Sequence, residues 1–119
     1  MTHRLERFNS LLQQEISDIL QRQLKDPRIG PFVSITSVEV AADLRHARVF
    51  VSTMGSRESK ADTVTALTSA AGFIRKELMG RIKARHIPDL TFRIDERIEQ
   101  ADRVLRIMDH INEEEKPRG

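Results

Sequence analysis

Gly72 is followed at roughly helical spacing by Arg75, Lys76 and Lys83, and preceded by the small residues Ser69, Ala70 and Ala71. A turn so poorly clothed leaves its peptide groups bare, so another backbone can come close, whether a neighbouring helix or a sugar–phosphate chain. Arginine and lysine ends beside such a gap suit phosphate oxygens. The chemistry on offer is therefore noncovalent capture of a polyanion. Arg85 extends the cluster. Arg81 lies four residues after Glu77, a spacing that also suits an intrahelical ion pair. Arg45, His46 and Arg48 make a second-rank group, explained equally well by a solvated strand edge. The competing reading is a core helix that touches another helix at Gly72 and leaves its cations in solvent.

Other chemistries find less support. His3, His46, His86 and His110 are scattered, with no pair spaced for a metal on one helix face. No glycine-rich phosphate loop with a lysine follows a strand, and no serine or aspartate is linked to a positioned base. The sequence thus predicts no catalytic residue, no metal and no cofactor. Aromatic residues make up 4% of the chain, with neither Trp nor Tyr. A stacking platform for bases is poorly supplied, and the RNP1 pattern of an RRM is absent. Phe50 and Phe73 could stack on bases, but core packing is the favoured reading for each. Recognition of folded RNA by shape and backbone is expected, with little reading of sequence.

Several elements must position these residues. Leu5, Phe8, Leu12, Ile16, Ile19, Leu20 and Leu24 predict an amphipathic helix over residues 3–24, ended by Asp26-Pro27. Arg28 there reads as solvated, and residues 28–31 as a turn. Residues 32–40 are rich in β-branched side chains and predict a strand. Its alternation slips, since Val33 and Ile35 share one phase and Val38 and Val40 the other; a bulge at Thr36-Ser37 reconciles them. Residues 44–54 predict a second strand with Ala47, Val49 and Val51 on one face. The short link at residues 41–43 makes the pair antiparallel. Ser59-Lys60-Ala61-Asp62 resembles a capping box that opens the next helix. Val64, Leu67, Ala71, Ile74, Leu78 and Ile82 give that helix its core face. Leu90, Phe92 and Ile94 mark a third, half-buried strand over residues 90–98. Ile98, Ala101, Val104, Leu105, Met108 and Ile111 suggest a final helix, and residues 113–119 are expected to be disordered.

A chain of 119 residues is one domain able to bury a core without staples. Zero cysteines exclude disulfides and fit a reducing cytoplasm. No apolar run reaches the roughly 18 residues that span a membrane, and Arg4, Glu6 and Arg7 interrupt any signal-peptide pattern. The net charge is only +2. Its distribution is uneven: residues 1–94 carry 15 Lys and Arg against 10 Asp and Glu, and residues 95–119 carry 5 against 8. The basic body suggests a polyanion partner; the acidic end does not.

The element order predicts an α+β fold of the type II KH-like kind: a three-stranded sheet, helices on one face, and a helix-kink-helix at Ala70-Ala71-Gly72 in place of a GxxG loop. At this point the sequence resembles the bacterial ribosome-binding factor A family. The matching stretches are residues 15–28 (EISDILQRQLKDPR), 43–52 (DLRHARVFVS), 70–75 (AAGFIR) and 87–92 (IPDLTF). The family's alanine-x-glycine kink is matched by Ala70, Ala71 and Gly72.

The resemblance implies a KH-like RNA-binding domain over residues 1–98, with a C-terminal helix and acidic tail over 99–119. It also implies a non-enzymatic assembly factor; the chain itself is expected to be cytoplasmic and a monomer. Such a factor binds the immature small (30S) ribosomal subunit and its rRNA. It assists late 16S rRNA processing, above all in the cold, with ribosomal proteins or other assembly factors as further partners. Two other classes stay open: a protein-interaction module docking through the C-terminal helix, and a small oligomeric enzyme.

Overall fold

The computed structural model describes residues 2–30 and 32–115. Their order is α1 (Thr2–Arg22), β1 (Ser34–Val40), β2 (His46–Ser52), α2 (Arg57–Ser69), α3 (Ala71–Arg81), β3 (Asp89–Ile94) and α4 (Arg97–Glu115). This is the type II KH-like arrangement. The β1–β2 hairpin is antiparallel, and the helical crossover lays β3 parallel to β2, giving the order β1-β2-β3.

One face of the sheet is apolar because inward positions alternate: Val38 and Val40 on β1, Ala47, Val49 and Val51 on β2, Leu90 and Phe92 on β3. The bulge falls where the slipped alternation requires it. Ile35 pairs with Val51 and Ser37 with Phe50, so Thr36 is the extra residue and Ile35 and Val38 both face inward. Leu12, Ile16 and Ile19 of α1, Leu67 of α2, and Ile74 and Leu78 of α3 close the core, each wholly buried. Side chains of α1 also bond the backbone of β1. Gln13 Nε2 donates to the Ile35 and Thr36 carbonyls at 3.3 and 3.2 Å, and Asn9 Oδ1 accepts the Val40 N–H at 3.0 Å.

Four expectations need correction. Helix α2 opens at Ser56, whose hydroxyl accepts the Ser59 N–H at 3.1 Å; the cap lies three residues before the expected Ser59 box. A serine with an extended backbone just after Gly55 is free to turn its oxygen onto the first turn, whereas Ser59 is already helical. The inward face of α2 is centred on Thr63, Ala66 and Leu67, with Val64 only half-buried. The last strand stops at Ile94, because Asp95 bonds the Arg97 N–H at 3.0 Å and turns the chain into α4. That helix continues to Glu115, so residues 113–115 are helical where disorder was expected, and residues 116–119 lie outside the described residues. Pro31, expected in the turn after α1, also lies outside them.

Candidate nucleic-acid interface

Small side chains and competing hydroxyls prepare the break between α2 and α3. Thr65, Thr68 and Ser69 each donate a hydroxyl to the carbonyl four residues back, at 3.0, 2.8 and 3.0 Å, a pattern that bends helices. Ala70 then sits at φ −88° and ψ −2°, its N–H shared between the Ala66 and Leu67 carbonyls at 3.1 Å each. It caps α3 without any side-chain oxygen. The first turn of α3 thus presents a positive helix end with no anionic cap of its own.

Ala70 and Ala71 lean on the core, whereas Gly72 is exposed. A Cβ built on Gly72 would meet nothing within 4 Å. Among the described residues no element packs over it, so the helix–helix explanation for the glycine finds no support there. Lys76, one turn on, is exposed and has no ion-pair partner among the described residues.

The other cations separate. Arg75 is tied down: its guanidinium donates to the Ile87 and Pro88 carbonyls at 2.9 and 3.2 Å and lies 3.3 Å from the Asp89 carboxylate. It braces α3 against the start of β3 and is not the free phosphate ligand its spacing suggested, because the turn into β3 brings it bare carbonyls. Arg81 pairs with Glu15 and Asp18 of α1 at 3.0 and 2.7 Å rather than with Glu77, and those carboxylates raise its pKa. Arg48 pairs with Glu39 across the hairpin at 3.1 Å on the uncovered sheet face. Lys83 and Arg85 do not continue the stripe. Ile82 is extended at φ −115° and ψ 126°, which ends the helix before them. Arg85 and Arg45 instead meet across one cleft, although they are 40 positions apart.

Two aromatic assignments also change. Phe73 is 43% exposed beside Gly72, so an unassigned aromatic ring borders the kink. Its neighbour Ile74 takes the inward position, and one turn of helix cannot bury both. Phe50 is half-buried on the open face of the sheet, with the Arg97 guanidinium 5.8 Å from its ring centre. Among the described residues, no three His, Asp or Glu side chains gather to hold a metal.

Residues 4–108 match the profile of the family described as Ribosome-binding factor A. Curated relatives of that name include one from Natranaerobius thermophilus, 46% identical over 92% of this chain and 82% of its own. Another, from Dictyoglomus thermophilum, is 43% identical over 98% and 97%. A solution structure of a Thermotoga maritima ribosome binding factor A is 33% identical with a TM-score of 0.61, covering 72% of this chain and 85% of that one. The crystal structure of the Thermus thermophilus factor shares the fold at a TM-score of 0.68 and 22% identity, over 76% and 93%. A homology model of the Thermus thermophilus factor, fitted into a cryo-EM map of a 30S complex, shares it at 0.63 and 21%, over 76% and 94%. With the family profile spanning nearly the whole folded body, this chain belongs to the ribosome-binding factor A family.

Proposed function

We propose that this protein is a cytoplasmic assembly factor that binds the immature 30S subunit through RNA. It assists late maturation of 16S rRNA, is needed most in the cold, and catalyses no covalent step. The observation that carries the reading is the uncovered kink: peptide N–H groups at a positive helix end and, among the described residues, a glycine nothing packs upon and a Lys76 with no ion-pair partner. The fold is shared with a relative placed in a 30S complex. Phosphate oxygens fit such a surface, and folded RNA offers them in fixed array. In the cold, misfolded RNA helices rearrange slowly, and a protein that holds one arrangement matters more.

The test is sedimentation with immature subunits across a salt series. Lys76→Glu, a charge reversal on an exposed residue, should keep the native fold and weaken binding about tenfold at low salt. Wild-type affinity should fall steeply as salt rises, because captured phosphates release counterions. Salt-insensitive binding, or an unaffected Lys76→Glu variant, would remove the kink from the interface.

A second reading, docking of a protein partner, is favoured by α4, where Val104, Leu105, Ile107, Met108 and Ile111 are 45–60% exposed. An apolar face of this kind binds with little salt dependence. The same titration therefore separates the two.

A further inference from the structure

The N-terminal half of α1, the hairpin turn at residues 41–45 and the loop at residues 82–88 surround an open cleft of about 1290 Å³. Its volume exceeds the roughly 300–1,000 Å³ of a small-molecule pocket, and its open shape suits a segment of polymer better than an enclosed metabolite. The floor is apolar, built by Leu5, Phe8 and Leu44, and the rim carries Arg4, Arg45 and Arg85.

Two features of this cleft are not needed by the fold. Leu44 has φ +62°, a left-handed backbone that a bulky side chain seldom adopts, and it is still 50% exposed. A glycine or asparagine would suit that turn at lower cost. The leucine adds nothing to the buried core, and what it does add is apolar surface on the floor of the cleft. The cationic rim is only partly compensated, by the charge of Asp43 beside Arg45. Of the carboxylates lining the cleft, Asp43 accepts the Arg45 N–H at 2.9 Å and lies 3.6 Å from His46 Nδ1, while Asp89 faces Arg75. The Arg4, Arg45 and Arg85 guanidinium groups make no hydrogen bond or ion pair among the described residues.

We propose that this cleft is a second RNA contact, which takes an unpaired nucleotide: the base lies on Leu5, Phe8 and Leu44 and its flanking phosphates meet Arg4, Arg45 and Arg85. Planar guanidinium forks match phosphate oxygens, and an aromatic ring with two aliphatic neighbours accepts the face of any base. The inference rests on the RNA-binding reading and deepens it, since a helix stacked end to end has no free base to offer. It predicts a preference for a bulge, loop or strand end beside the surface held at the kink.

The test uses the full chain with immature small subunits carrying 4-thiouridine, and a short single-stranded RNA with its duplex as probes. Wild type should crosslink through the cleft residues and bind the single strand about tenfold better than the duplex. Arg45→Glu with Arg85→Glu should abolish that preference and the crosslinks. Leu44→Gly relieves the turn, so its melting temperature should hold or rise while single-strand affinity falls about fivefold; this separates binding from folding. Cleft variants that bind single strand and subunit as wild type does overturn the cleft proposal and leave the kink reading standing. Failure of the wild type to bind subunits at all overturns the reading on which it rests. Competition by an acidic apolar peptide, with none by single-stranded RNA, assigns the cleft to a protein and also overturns the proposal.

Discussion

At the scale of single residues, the glycine at 72 sets helix stability against access. It lies in a helix with open space where a Cβ would stand, so Gly72→Ala should stabilise the fold by about 0.5–1 kcal/mol, as alanine does in exposed helix positions. The same methyl group lifts a ligand's backbone off the peptide N–H groups, so affinity for the subunit should fall. Urea unfolding and sedimentation moving in opposite directions is the expected result; affinity that rises with stability would deny any close approach. Asp95 supplies a second case. The Arg97 guanidinium and the Thr36 hydroxyl, at 2.6 Å, hold its carboxyl well below the usual carboxylate range, against the opposing effect of burial. A folded-state pKa lowered in this way gives stability that is present above the unfolded value of roughly 3.9 and is lost as pH falls below it. Asp95→Asn should cost about 2 kcal/mol at pH 7, the order of a hydrogen bond to a charged group. The gap from wild type should narrow by pH 3. A gap that stays constant with pH would mean the ion pair contributes nothing.

At the scale of elements, the helix ends decide where binding groups stand. Ser56 holds the start of α2, so Ser56→Ala should lower stability by about 1 kcal/mol in urea unfolding, the common loss for an N-cap. If Ser59→Ala costs more, the cap has been misplaced. Helix α4 leans the other way. From Arg103 to Ile111 every residue is exposed, so Leu105→Gln with Met108→Gln should leave stability within about 0.5 kcal/mol. Loss of subunit binding in that stable variant would favour the protein-docking reading. Much at this scale is legible in the sequence. The β1 phase slip locates the bulge, and the hairpin follows from a three-residue link. The cap is not legible, because two serines three residues apart are equally plausible on paper. Only the backbone angle at Ser56 separates them.

At the scale of the whole molecule, cations that look alike in the chain divide by their neighbours. Arg75 and Arg81 anchor α3 to β3 and to α1, Arg48 closes a cross-strand pair, and Lys76, Lys83 and Arg85 have no ion-pair partner among the described residues. The salt dependence of subunit binding should therefore report fewer phosphates than the full set of candidate positions implies, and Arg75→Ala should act through the fold more than through affinity. Circular dichroism with the same salt series would distinguish these effects. The residue pattern by itself determined the element order, the inward faces of α1 and of the strands, the bulge and the break at Ala70-Ala71-Gly72. Each of these follows from local sterics and hydrophobic period. Tertiary structure alone decided which guanidinium is spent on a carbonyl, that Gly72 opens to solvent, that Phe73 stands beside it, and that Arg45 and Arg85 share a cleft. Those outcomes depend on what the folded chain brings within a few ångströms of a side chain, and spacing along the sequence carries no such information.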